Sequence, residues 1–224
     1  MPTDGTANLE KVSSDIAFTP TVKAIQERRG SRAGYAKMEM RGGFRTTVTA
    51  DLAAFLAQVD SAVLSTTNAA GQPYAQHRGG PKGFIKVIDD KTIAFADYRG
   101  NRQYITLGNL AENDRAFLLL IDYATRRRIK LWGRARVVED DPPLMTRLML
   151  AGYQAKPEQG IVFSIDAWDV NCPQHIPQKL DAADVAKALE EWRLRAEALE
   201  NENAALRRAL AEARRADSSR IGSG

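Results

Sequence analysis

Cysteine is nearly absent from this chain of 224 residues: Cys172 is the only one. No intrachain disulfide can form, and a reducing compartment is the natural setting. Histidine is almost as scarce, with only His77 and His175. Two imidazoles and one thiol fall short of the four such ligands a structural zinc site generally takes, so no metal centre is expected. No run of eighteen apolar residues occurs, so no membrane-spanning helix is expected. The opening stretch MPTDGTANLEKVSSD has no apolar signal core, and the chain reads as cytoplasmic. Strong charge of one sign is missing too, with 32 Lys and Arg against 28 Asp and Glu. A net charge of +4 and a pI near 9.2 fit an anionic ligand or a nucleic acid and decide neither.

What is present is enough apolar residue, 44% of the chain, to build a full core. Residues 1–15 read as loose. Thr19-Pro20 opens a capped helix that ends at Gly30, and TADLAAFLAQV (49–59) is a second helix capped by Thr49. The period then changes to two. SAVLSTT (61–67) and YAQHR (74–78) form one hairpin; FIKVID (84–89) and TIAFAD (92–97) form another. A helix is expected over 102–111, with Tyr104, Leu107 and Leu110 on one side. RAFLLLID (115–122) reads as a strand buried on both faces, followed by IKLWGRARVVE (129–139), a short helix opened by Pro142-Pro143, and a last strand over 160–170. Six or seven antiparallel strands with short helices in the joins make a mainly β fold, a small barrel with helical plugs. Trp132 and Trp192 read as packing residues.

The tail is different. Val185, Leu189, Trp192, Ala196, Leu199, Asn203, Leu206, Leu210 and Ala213 alternate four and three apart, as d and a positions of a heptad do. Asn203 is the one polar residue at an a position, a device that fixes a parallel two-stranded register. Arg195 at g would meet Glu200 at e of a partner, and Glu202 would meet Arg207. A parallel coiled coil over 179–216 is expected, with a disordered tail at 217–224; a single amphipathic helix is the alternative.

Between Phe95 and Leu110 the sequence FADYRGNRQYITLGNL hands a strand to a helix through Gly100, Asn101, Arg102 and Gln103. Unpaired N–H groups and the dipole at a helix start favour an anion. A glycine lets backbone approach, and an arginine can grip two phosphate oxygens. A turn with solvated arginines is the bland alternative. Two further basic clusters, HRGGPKG with Arg78 and Lys82, and Arg126-Arg127-Arg128, are placed by the strand order where all three could meet one anion.

From Ala62 to Glu139 the chain resembles the FMN-binding split barrel of the pyridoxamine 5'-phosphate oxidase-like family. The pattern is carried by GQPYAQHRGGPKGFIKVIDDKTIAFADYRGNRQYITLGNLAENDRAFLLLID: strand, hairpin, phosphate corner, helix, then Glu-Asn-Asp-Arg before an apolar strand. The resemblance implies FMN as cofactor and a homodimer with the flavin at its two-fold interface, beside which two parallel tails would lie. It places the flavin-lining strand segment on Pro81 to Lys86, which includes Lys82, Gly83, Phe84 and Ile85. It matches the phosphate arginine to Arg102, flanked by Asn101 and Gln103. Ala96 and Asp97 match residues bordering the flavin ring, Arg128 matches a glutamine of a later strand, and Trp168 stands for the tryptophan packed near the flavin. Asn101 and Gln103 replace the serine and lysine common in the oxidase. DVNCPQHIPQKL stands where the oxidase has the Arg- and His-containing strand that grips the substrate phosphate. Flavin binding is thus implied further than substrate identity.

The segment AWDVNCPQHIP (167–177) brings Trp168, Asn171, Cys172, Gln174 and His175 together between prolines. It reads as a loop at the flavin edge, with Asn171, Gln174 and His175 supplying donors and acceptors; a structural turn is the alternative. The expected function is FMN-dependent oxidation or reduction of a small molecule, with Lys86 and His77 as candidate substrate contacts. The alternative is a non-catalytic dimeric module binding flavin, deazaflavin or haem. No helix carries a one-sided basic face, so nucleic acid is not an expected partner, nor is a membrane.

Overall fold

The computed structural model describes residues 11–221, with side chains through Arg215. Most of the N-terminal stretch read as loose, and residues 222–224 of the tail, lie outside the described residues. Two compact units divide the chain, Met1–Ile176 and Pro177–Gly224.

In the first unit, Thr19 caps α1 (Pro20–Arg28) by accepting a hydrogen bond from the Val22 N–H at 3.3 Å. α2 (Arg32–Glu39) was not expected from sequence, and the structure shows why: it has no apolar stripe and buries no residue fully. Charge holds it, beside one ring contact of Tyr35 with Phe18 at 5.1 Å. Lys23 bridges Asp15 at 2.6 Å and Glu39 at 3.1 Å, and Arg32 pairs with Glu39. The hydrogen bond from Lys23 holds the Asp15 carboxyl below its ordinary range. Burial pulls Glu39 upward, but the bonds from Arg32 and Lys23 outweigh it and leave Glu39 lowered as well. A carboxyl lowered by folding stabilises the fold above its unfolded pKa, about 4, and stops doing so as pH falls through the lower folded value. Amide protection in α1 and α2 is therefore expected to collapse on acidification below about pH 4 while the sheet stays protected. Hydrogen exchange between pH 5 and 3 checks this, and Asp15→Asn should weaken the pH dependence.

α3 (Ala50–Leu56), capped by Thr49, buries Leu52, Phe55 and Leu56. Seven strands follow: β1 (Ser61–Thr67), β2 (Pro73–Gly79), β3 (Lys86–Val87), β4 (Thr92–Tyr98), β5 (Arg115–Asp122), β6 (Arg127–Val138) and β7 (Pro157–Asn171). All pairs are antiparallel, in the order β2-β1-β5-β6-β7-β4-β3. α4 (Ile105–Glu112) joins β4 to β5, and α5 (Pro142–Leu148), capped by Asp141, joins β6 to β7.

One sheet face closes on the main core, which includes Leu64, Phe95, Leu118, Leu131 and Phe163. β5 does not bury both faces as expected. Ala116, Leu118 and Leu120 point inward, while Phe117, Leu119 and Ile121 are half-buried on the outer face, as strict alternation in an antiparallel sheet requires. The expected strand 84–89 shrinks to two residues. The turn through Gly83, at φ +77°, aims Phe84 and Ile85 directly into the core, where Phe84 meets Phe95 edge to face at 6.0 Å.

In the second unit, α6 (Ala182–Ile221) is one continuous helix of 40 residues, running through residues 217–221 that the sequence placed in the tail. The fold class is the expected one: a mainly antiparallel β unit with a long C-terminal helix.

Candidate functional site at the seam of the barrel

The two ends of the sheet are not joined by backbone hydrogen bonds, since β2 closes one end of the strand order and β4 lies next to the other. Side chains join them instead. Period two puts Gln76 and Arg78 on the same face of β2 and His77 on the other. Arg78 pairs with Asp97 of β4, and its Nη2 donates to Gln76 Oε1 at 3.1 Å. Asp97 Oδ2 accepts from Gln159 Nε2 of β7 at 2.8 Å. Thr106 of α4 donates to the same Gln76 oxygen at 2.9 Å. The sheet has thus rolled until its ends meet, and a polar network spans the split.

α4 is seated over this seam by a polar face. Besides Thr106, Asn109 donates to Thr66 of β1 at 3.0 Å, and Asn113 at the helix end donates to Thr67 at 2.7 Å. Thr106, Asn109 and Leu110 are buried, whereas Tyr104 is exposed. Of the expected side of Tyr104, Leu107 and Leu110, only Leu110 is buried on the docked face. Matching hydrogen bonds select the docked face over apolarity, because burying Asn109 and Thr66 unpaired would be costly.

The corner that opens α4 differs from expectation in one respect. The helix begins at Ile105, so Asn101, Arg102 and Gln103 precede it as an exposed loop. Arg102 and Tyr104 both sit in the left-handed region, at φ +60° and +55°. Arg102 Nε donates to the Tyr104 hydroxyl at 3.0 Å, and its Nη groups make no hydrogen bond among the described residues. The cleft here is lined by Gln76, Arg78, Asp97, Asn101, Arg102 and Gln159, with Glu158 at its margin. Asp97 neutralises Arg78, and Glu158 faces Arg99 at 3.8 Å. Arg102 makes no ion pair with a carboxylate among the described residues, although Glu158 in the same cleft acts on it electrostatically. Its free Nη groups are the donors an anion could use.

The remaining candidates lie elsewhere. Arg128 on β6 faces Asn171 on β7 as a cross-strand pair, and the exposed Cys172, Gln174 and His175 follow, with His175 left-handed at φ +64°. Gln159 and Asn171 are twelve positions apart on one continuous strand, roughly 40 Å of strand length. Within one chain the seam group and the Arg128 group therefore stand at opposite ends of β7. The three basic clusters do not converge on one anion here: Lys82 is in an exposed loop, and Arg126 to Arg128 lie at the far end, where a turn enters β6.

Two corrections concern side chains read as flavin contacts. Phe84 and Ile85 are core residues, at 2% and 3% exposure. Trp168 is fully enclosed; its indole N–H donates to the Thr47 carbonyl at 2.8 Å, and the Arg45 guanidinium covers its ring at 4.7 Å. It locks the segment before α3 onto β7, where Arg45 and Trp168 form a backbone bridge. His77 points away from the seam to Ser61, 2.9 Å from its hydroxyl. Lys86 is half-buried on β3, Gly83 makes the turn, and Ala96 is buried beside Asp97. Gln76, Thr106 and Gln159 were missed. Gln76 was signalled by standing two residues before Arg78 on one strand face. Gln159 was hidden because the last strand was expected to begin one residue later.

The model of the family described as pyridoxamine 5'-phosphate oxidase matches residues 48–172 of this chain. The chain belongs to the pyridoxamine 5'-phosphate oxidase family. Solved structures similar to it include HupZ of Group A Streptococcus, 18% identical over 59% of this chain and 99% of that one, with a TM-score of 0.44. An FMN-binding protein of Syntrophomonas wolfei is 12% identical over 65% and 97%, with a TM-score of 0.43. General Stress Protein 26 of Bacillus anthracis is 17% identical over 52% and 88%, with a TM-score of 0.37. No curated protein matches the chain.

Proposed function

We propose that this chain binds FMN and is an oxidoreductase acting on a small molecule, as a homodimer whose two copies both contribute to each cofactor site. The observation that carries this reading is where buried hydrogen-bonding capacity is left unmet. Five side-chain atoms among the described residues are shut off from solvent without a hydrogen-bond partner: Ser14 Oγ and Glu39 Oε1 in the N-terminal segment, and Arg78 Nε, Arg128 Nε and Asn171 Oδ1. Buried polar atoms are rarely left so, and the last three belong to residues expected to hold the flavin. The atoms fit a ligand with phosphate and ring amide groups, since the arginines offer donors and the asparagine an acceptor.

Arg102, flanked by Asn101 and Gln103, would take the phosphate. Arg128 and Asn171, with Gln174 and His175, would take the polar edge of the ring. These groups lie at opposite ends of β7 in one chain, so a second copy is needed to bring them to one ligand. The half-buried apolar row Phe117, Leu119 and Ile121 supports a second copy, since it leaves apolar surface that nothing in the described residues encloses. The bound flavin would supply the electron transfer itself. The protein's part is to grip the phosphate, fix the ring and exclude water, with Lys86 as the candidate contact for substrate.

The test is an absorption spectrum of the purified protein, with mass analysis of whatever heat releases. Bands of oxidised flavin and the mass of FMN are the expected result. A protein that stays colourless after excess FMN overturns the reading, and a deazaflavin mass reassigns the cofactor while keeping the phosphate corner.

A further inference from the structure

The helix α6 is a physical anomaly. Every described residue from Pro177 to Arg215 is exposed, although a helix in a folded protein owes most of its stability to a buried face. The exposed apolar residues are concentrated on one face. Leu189, Trp192, Leu199, Leu206 and Leu210 are each more than half exposed and fall on the a and d positions of one unbroken heptad; Leu194, at an outer position, is the exception. We infer that α6 pairs in parallel, in register, with α6 of a second copy of this chain, and that Asn203 together with the Arg195–Glu200 and Glu202–Arg207 charges selects that partner and that direction.

The charges point to a second copy. Arg193, at an e position, is occupied within its own helix by Glu190 at 2.7 Å and by Glu197. In a parallel pair Arg193 would face Ala188, which asks nothing of it. Arg195, Glu200, Glu202 and Arg207 make no ion pair within the chain among the described residues. In a parallel self-pair they are the g and e residues that meet with opposite sign. Those four charges, without an ion pair among the described residues, are ones a second copy would satisfy.

Asn203 fixes the direction. Its amide donates back to the Leu199 carbonyl at a long 3.3 Å, a makeshift bond on an exposed face. In a parallel pair the two Asn203 side chains meet across the seam and satisfy each other. In an antiparallel pair an a residue faces d, and every d residue is apolar: Val185, Trp192, Leu199, Leu206 and Ala213. Asn203 would then be buried with no partner. This inference concerns the second unit, which holds none of the residues assigned to the cofactor, and stands whatever the cofactor proves to be.

Because Cys172 is the only cysteine, site-directed crosslinking of the full chain tests it cleanly. In a Cys172→Ser background, Leu206→Cys places a thiol at d, far enough from the middle of the helix that only a parallel in-register pair brings two of them together. Asn201→Cys places one on the outer f position. Under mild oxidation the Leu206→Cys protein should run almost wholly as a disulfide-linked dimer on a non-reducing gel, with Asn201→Cys remaining a single chain. Both sites are exposed in the chain, so neither variant threatens the fold. A Leu206→Cys protein that stays a single chain, whether because α6 pairs antiparallel, pairs with another protein or does not pair, overturns the inference. Equal crosslinking at Asn201→Cys overturns it as well.

Discussion

Arg102→Ala should yield a folded protein that has lost its flavin colour. The arginine is exposed, so its removal creates no cavity, and among the described residues its only side-chain hydrogen bond is from Nε to the Tyr104 hydroxyl. A charge-assisted hydrogen bond contributes about 1.5–3 kcal/mol. Losing a bidentate grip on phosphate should therefore weaken retention by two orders of magnitude or more, since about 1.4 kcal/mol is tenfold. The backbone gives a second readout. Arg102 sits at φ +60°, where a side chain with a Cβ is disfavoured by roughly 1–2 kcal/mol and glycine is not. Arg102→Gly should match alanine in losing flavin while exceeding it in stability by about 1 kcal/mol. Urea denaturation of the two apoproteins, beside equilibrium dialysis against FMN, separates the side chain's role from the backbone's. An Arg102→Ala protein that binds FMN as tightly as wild type would remove this corner from the site.

The strands were readable because their burial follows their period. β1 was expected at the residues where it is found, and Thr19 and Thr49 cap the helices they were expected to cap. Long-range polar pairing was not readable. The docked face of α4 is chosen by Thr66 and Gln76, more than twenty residues upstream, and α2 is held by ion pairs rather than by an apolar stripe. The same limit governs the site. Residue types around Arg102 pointed to an anion from sequence alone. That Asp97 belongs to Arg78 and Gln159, or that Trp168 closes the core under Arg45, depends on how the sheet rolls, which no local window contains. Trp168 was read as a cofactor wall because an aromatic beside polar residues looks the same in either role. Its satisfied indole N–H decides for the core.

Asp97→Ala should destabilise the first unit by about 3–5 kcal/mol, the usual cost of removing one member of a buried pair. The side chains of Arg78 and Asp97 are 11% and 9% exposed, so water cannot replace the missing carboxylate and salt screens the pair little. Set against a typical stability of about 5–15 kcal/mol, this is enough to lower the urea midpoint severely. Arg78→Ala should cost as much and also reverse the charge balance of the cleft, because Asp97 would then stand unneutralised beside Arg102. The double variant Arg78→Met with Asp97→Leu keeps volume and neutrality, and replacing both members of a buried pair is often nearly neutral, so most of the lost stability should return. Flavin retention should not return with it, because the unmet Nε of Arg78 is then gone from the seam. If the double variant recovered stability and also held FMN like the wild type, Arg78 would serve only to neutralise Asp97 and hold the split closed. If it recovered neither, the network through Gln76 and Gln159 would be what keeps the two ends of the sheet together.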